Sequence, residues 1–301
     1  TKARFFPGAH VFPGGLVEES DSDSKWKELL GVSQIQQFVQ INVDGTKVVN
    51  EFAFRVAAIR ELFEEVNVLM ASSTTNTKHI NNELVSQWRP LVQKDSSKFF
   101  DMCKELGLVP QVLQLFPYAH WITPKQEKYR YNTLFYVGIM DSSTQVESQA
   151  SHDRKETTEF DWFTPEQALS RFKDGSIFLP PPTWYTLLHL VQFGTIGSLQ
   201  NQLKKQVFTV NIPIVLPEIL FAEEAEKLLR SKGQLKKDEQ VLSATVLPGD
   251  EYFPRQDPSM RKQDQRHRIM VISSGTGAMR YELDCNVQYS FSPKMTPTSK
   301  L

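Results

Sequence analysis

Residues 60–68 read Arg-Glu-Leu-Phe-Glu-Glu-Val-Asn-Val and place Glu61, Glu64 and Glu65 within five positions. On a helix, residues three and four apart are neighbours, so the three carboxylates share one edge. Crowded carboxylates repel and raise one another's pKa unless a cation joins them. Oxygen ligands of this kind suit the hard ions Mg²⁺ or Mn²⁺. Arg60 stands four residues before Glu64 and is placed to pair with it and fix its orientation. Acidic clusters are also common on solvated helix faces, so the chemistry needs a second half. Gly14 and Gly15, in the stretch Phe12-Pro13-Gly14-Gly15, are the candidate, because backbone without a Cβ approaches a ligand closely.

Two elements have to carry these groups. Phe52, Val56, Ile59, Phe63 and Val66 recur at helical spacing and predict a helix from Glu51 with one buried stripe. The turn at Pro13-Gly14-Gly15 follows an apolar stretch, residues 1–12, that reads as a strand. Residues 22–50 are polar and mixed and read as an insertion, with a short helix at 25–30. A polar loop at 72–82 precedes expected helices at 83–93 and 95–106. Strands are expected at 109–116, 133–139 and 160–164, and helices at 165–173, after a proline, and at 183–193. Further on, a strand at 207–216, an amphipathic helix at 217–231 and strands at 240–247, 268–273 and 278–283 are expected, the last two as a hairpin. Strands and helices mix without a regular βαβ rhythm, which predicts an α+β fold.

Composition excludes some functions. The 301 residues carry 34 basic and 35 acidic side chains, a net charge of −1, without the basic excess of a dedicated nucleic-acid binder. No apolar run approaches the ~18 residues of a membrane span. Two cysteines, Cys103 and Cys285, build no disulfide framework and point to a reducing compartment.

Together the two stretches resemble the Nudix box: a glycine, five residues, a glutamate, seven residues, then R-E-U-x-E-E-x-G-U with U bulky and aliphatic. Gly15 opens the pattern and Arg60–Val68 closes it. There are three departures. Asp21 stands in place of the first glutamate. Thirty-eight residues separate Asp21 from Arg60 where the plain motif has seven. Asn67 replaces the glycine after the helix, a mild change because asparagine tolerates a left-handed helix end. The split box, the run Pro7–Gly15, the later His120-Trp121-Ile122-Thr123-Pro124 and the C-terminal tripeptide resemble the branch of peroxisomal acyl-coenzyme A diphosphatases.

The resemblance implies a Nudix-type α/β/α sandwich around a mixed β-sheet, with a Nudix domain over 1–205, a C-terminal α/β extension over 206–292 packed on it, and a flexible tail at 293–301. It implies metal-dependent hydrolysis of the diphosphate of coenzyme A and acyl-coenzyme A, giving 3′,5′-ADP and (acyl-)4′-phosphopantetheine. Glu61 and Glu65 are the implied leading ligands for Mg²⁺ or Mn²⁺. Glu64 either joins them or, with Arg60 orienting it, helps activate water. Glu156 is the implied additional ligand, its spacing before Trp162 fitting better than that of Glu159. Arg4, Gly8, Gly14 and Gly15 fit part of a coenzyme A signature and are expected to meet substrate. Lys125, Lys128 and Arg130 read as a solvated basic loop, with contact to the 3′-phosphate of coenzyme A the alternative. Tyr118 and Trp121 read as core, with stacking on adenine the alternative, and His120 as a structural histidine. A Nudix hydrolase of NADH or a nucleotide sugar, and an inactive Nudix-fold binding protein, stay open as alternatives. The terminal Ser299-Lys300-Leu301 is a receptor-read peroxisomal address, so location in the peroxisome and an import-receptor partner are expected.

Overall fold

A computed structural model describes residues 8–31, 38, 40–42, 48–74, 82–140, 160–205, 214–220, 222–231, 235–251, 253, 265–274 and 279–286. Residues 8–18 run as irregular backbone with a single bridge from Ala9 to Phe178, not as the expected strand. A 3₁₀ turn at Glu19–Ser22 and helix α1 (Trp26–Leu30) follow. Strands β1 (Gln40–Asn42) and β2 (Val48–Asn50) pair antiparallel and lead into helix α2 (Glu51–Val66). The Asn50 side chain accepts from the Phe52 amide and caps the start of α2. All five residues of the predicted stripe on α2 are buried.

Beyond α2 come β3 (Ala71–Ser73), α3 (Asn82–Lys94), α4 (Lys98–Glu105), β4 (Leu108–Pro110), β5 (Leu115–Ile122) and β6 (Asn132–Gly138). β3 and β4 pair antiparallel. The expected strand at 109–116 is broken in two, because a 3₁₀ turn at Val112–Gln114 separates β4 from β5. Helices α5 (Pro165–Lys173), α6 (Pro181–Val191) and α7 (Ile196–Lys205) follow, α5 opening on a capping box between Thr164 and Gln167. The expected strand at 160–164 is irregular: Trp162 is exposed and no described strand pairs with the segment.

The last part holds β7 (Ile214–Val215), β8 (Glu218–Leu220), α8 (Ala222–Ser231), β9 (Glu239–Val246), β10 (His267–Ser274) and β11 (Met279–Cys285). The predicted helix at 217–231 starts late, because Glu218–Leu220 pair with β9 instead. β8 to β11 form one antiparallel sheet, with the expected β10–β11 hairpin. β5 lies between β6, antiparallel, and β7, parallel, in a mixed sheet. One buried cluster joins α1, α2, α4 and β4, including Trp26, Ile59, Phe63 and Phe99. A second joins α5 and α6 to β5, β7 and β10 through Trp121, Tyr185, Val215 and Ile269. No described helix is long and apolar enough to cross a membrane.

Candidate active site

Arg60 organises the site. Its Nε and Nη2 donate to Asp21 Oδ1 and Oδ2, both at 2.9 Å, and Nη2 also donates to the Leu16 carbonyl at 2.8 Å. Its Nη1 donates to Glu61 Oε1 at 2.9 Å and to Glu64 Oε1 at 2.7 Å. Arg60 and Asp21 are 2% and 1% exposed, so this bidentate pair is fully desolvated. Burial works against the Arg60 charge. The hydrogen bonds and charge of Asp21, then Glu61 and Glu64, outweigh it and hold the guanidinium above its usual range. Arg60 is thus a positioning residue, buried beneath the carboxylates rather than presented to a substrate. Asp21 also accepts from the Glu18 amide at 2.8 Å, which fixes the turn after Gly15.

The glycine turn touches the acidic edge. The Gly14 amide donates to Glu65 Oε2 at 3.0 Å. A Cβ on Gly15 would collide with both carboxylate oxygens of Glu61, so only glycine fits there without displacing that side chain. Burial raises the Glu64 pKa to about 7; the Arg60 bond and charge oppose this, while Glu61 and Asp21 add to it. The halves of the split motif therefore meet.

The end of α2 is fixed as well. Asn67 takes the left-handed conformation, φ 59°, and its amide reaches back to Phe63 O at 3.0 Å. Arg89 on α3 donates to the carbonyls of Glu64 and Glu65 at 2.9 and 2.8 Å, and Gln93 to that of Glu64 at 2.8 Å. Three carbonyl bonds thus hold the turn that bears two of the acids. Arg89 and Gln93 were not singled out from sequence. Nothing in their spacing marks them, because their role depends on α3 crossing the end of α2.

Gly14 and Gly15 line a cleft of about 2630 Å³, several times the ~300–1,000 Å³ common for small ligands. Its walls run from Val11–Glu19 over β5 and β6 to residues of α6, β8, β9 and β10. Phe12 stands over Phe135 edge-on, with ring centroids 5.7 Å apart. Tyr118 and Trp121 are buried, as expected, and also line the cleft. His120 is the expected structural histidine: buried, bonded to Asn132, and lowered in pKa by its burial. Lys125, Lys128 and Arg130 are exposed, as expected of a solvated loop.

The structure thus brings together Gly14, Gly15, Arg60, Glu61, Glu64 and Glu65. Gly8 is exposed, at φ 78°, and is not among the residues lining the cleft. Arg4, Glu156 and Ser299-Lys300-Leu301 lie outside the described residues. Among the described residues no three acidic, histidine or cysteine side chains are gathered into a ready metal cage. Glu61 and Glu64 share Arg60 Nη1, and Glu65 is turned to Gly14. The donors nevertheless fit a hard divalent ion in kind: carboxylates on successive turns, beside a glycine turn cleared of side chains.

The family model for the NUDT19 Nudix domain matches residues 1–190. Acyl-coenzyme A diphosphatase NUDT19 of Xenopus laevis is 30% identical over 295 residues, covering 88% of this chain and 72% of that protein. Its namesake in Gallus gallus is 32% identical over 235 residues, 67% of this chain and 61% of that one. Among solved structures, a NUDIX hydrolase from Alicyclobacillus acidocaldarius aligns with TM-score 0.48 and 19% identity, over 66% of this chain and 82% of that one. The family match spans the very residues that close the split motif around Arg60, and the similarity to a relative extends well past it; this chain belongs to the NUDT19-type Nudix hydrolases.

Proposed function

We propose that this chain hydrolyses the diphosphate of coenzyme A and acyl-coenzyme A, releasing 3′,5′-ADP and (acyl-)4′-phosphopantetheine. The observation that carries the reading is the contact of the Gly14–Gly15 turn, which lines the cleft, with Glu61 and Glu65 behind it. The relatives, known as acyl-coenzyme A diphosphatases, support the choice of substrate. Glu61 and Glu65 would hold a divalent ion, Mg²⁺ or Mn²⁺, which when bound neutralises phosphoryl charge and lowers the pKa of water. Glu64, oriented by Arg60 beside those two carboxylates, would accept the proton from the attacking water. Arg60 orients Glu64 and Glu61, and Asp21 keeps Arg60 charged and fixed. The peroxisome and its import receptor remain part of the proposal on the tripeptide Ser299-Lys300-Leu301 alone.

Mass spectrometry of the products from coenzyme A with Mg²⁺ tests the reading, with 3′,5′-ADP the expected product. Cleavage of NADH but not of coenzyme A would move the activity to another diphosphate. Glu65→Gln should lower turnover by on the order of a hundredfold or more while leaving the circular dichroism spectrum unchanged. Near-normal turnover in that variant would refute the assignment.

A further inference from the structure

We propose that Tyr118 and Trp121, together with the row Ile219, Thr245 and Ile269 of the C-terminal sheet, form the subsite for the acyl-pantetheine arm of the substrate. The inference rests on the coenzyme A reading and deepens it. Such an arm is a long, flexible, largely apolar chain with two amide carbonyls. It asks for an apolar wall and a few well-placed donors.

β5 supplies the donors. Pro117 pairs with Tyr136 and Ala119 with Phe135, which leaves Tyr118 as the extra residue of a bulge. In a regular strand, residues three apart face opposite sides. The bulge breaks that alternation, and Tyr118 and Trp121 both line the cleft. Each is only 5% exposed, and among the described residues neither the Tyr118 hydroxyl nor Trp121 Nε1 has a hydrogen-bond partner. Buried polar groups are nearly always paired, and an unmade bond costs stability. Amide carbonyls of a bound arm supply the acceptors that the protein omits.

The C-terminal sheet supplies the wall. Ile219 on β8 and Ile269 on β10 both pair with Thr245 on β9. The three side by side line the cleft that begins at Gly14 and Gly15. All three lie beyond residues 1–190, so the wall comes from outside the region that carries the acidic helix. An arm leaving a diphosphate at the glycine turn meets this wall within one continuous cleft.

The test is calorimetric binding of octanoyl-pantetheine, unacylated pantetheine and 3′,5′-ADP to the full chain and two variants. Tyr118→Phe removes one oxygen. It should weaken octanoyl-pantetheine about tenfold, leave 3′,5′-ADP binding unchanged and leave the melting temperature equal or higher, because the lost hydroxyl had no partner. Ile219→Ser should abolish the preference for octanoyl-pantetheine over pantetheine. Failure of the wild-type chain to bind octanoyl-pantetheine, undiminished binding in both variants, or equal loss for all three ligands would overturn the subsite. Coenzyme A hydrolysis is assayed separately on the wild-type chain. Its absence beside intact arm binding would count against the hydrolase reading and not against the subsite.

Discussion

At the scale of single residues, the chemistry depends on a position with no side chain. Gly15 is pressed against the Glu61 carboxylate, so any Cβ there must push that carboxylate away. The far end of a glutamate moves easily, so the fold should tolerate the change while the site does not. Gly15→Ala is therefore expected to lower kcat/KM by on the order of a hundredfold, with little change in melting temperature. An alanine variant with wild-type kinetics would show that Glu61 need not sit against the turn. Much of this site was legible in the sequence, because the acids and glycines appear as residue types at recognisable spacing. The use of Asp21 was not. It stands where a glutamate was expected, but that it binds both ends of the Arg60 fork, 39 residues away, follows only from the folded distance. That the donors of Tyr118 and Trp121 have no partner among the described residues was likewise hidden, because pairing is a property of surroundings and a bulge leaves no clear mark in composition.

At the scale of elements, the question is how the two halves of a motif stay together across so long an insertion. The described residues of the insertion are anchored in the core. Trp26 and Leu30 of α1 are 1% and 3% exposed, and Trp26 packs edge-on against Phe100 of α4 at 5.0 Å. Trp26 Nε1 also donates to the Ser20 carbonyl, tying α1 back to the turn before it. Phe38 packs on Phe52 and lies under the Arg55 guanidinium, next to the start of α2. The clamp that closes the arrangement is Asp21–Arg60. Removing one partner of a buried pair leaves an uncompensated charge, so Asp21→Ala should cost about 3 kcal/mol or more in urea unfolding at pH 7. A loss below 1 kcal/mol would mean that Glu61 and Glu64 alone satisfy Arg60. Helix α2, α5 and the β10–β11 hairpin were readable because periodicity, capping residues and alternation agree there. The segments 160–164 and 217–220 misled for one reason. Pairing partners decide whether a short apolar run becomes a strand, and these partners come from distant parts of the chain.

At the scale of the whole molecule, the C-terminal sheet and the region carrying the acidic helix share structure. β7 extends the sheet of β5, and Ile269 of β10 is buried in one cluster with Trp121 and Tyr185. Between them lies a buried polar joint. Tyr185 of α6 is 2.7 Å from His267 Nε2, and His267 Nδ1 lies 2.8 Å from the Pro248 carbonyl. A carbonyl only accepts, so Nδ1 carries the proton and Nε2 accepts from the tyrosine hydroxyl. Asp250 accepts from the His267 amide and from Arg268, with Glu251 beside them. His189 packs against Tyr185 at 4.3 Å between ring centroids, and its buried Nε2 has no hydrogen-bond partner among the described residues. Burial first, and for His189 the neighbouring His267 as well, lowers both pKa values to about 4. A histidine unfolded titrates near 6.5, so below that pH the unfolded chain binds protons that the folded chain refuses. The contribution of this joint to stability is therefore full above about pH 6.5 and falls as pH drops toward 4. Between pH 7 and pH 5 each histidine should cost about 2 kcal/mol, while Glu64, whose pKa is raised to about 7, gains stability in the same window and offsets part of the total. His189→Leu removes one titrating group and a buried nitrogen with no hydrogen-bond partner among the described residues, so the stability lost between pH 7 and pH 5, read from urea unfolding, should be about 2 kcal/mol smaller in the variant than in the unsubstituted chain, without weakening of the fold at pH 7. An unchanged pH dependence in this variant would show that the joint does not titrate in this range and that acid acts elsewhere on the chain.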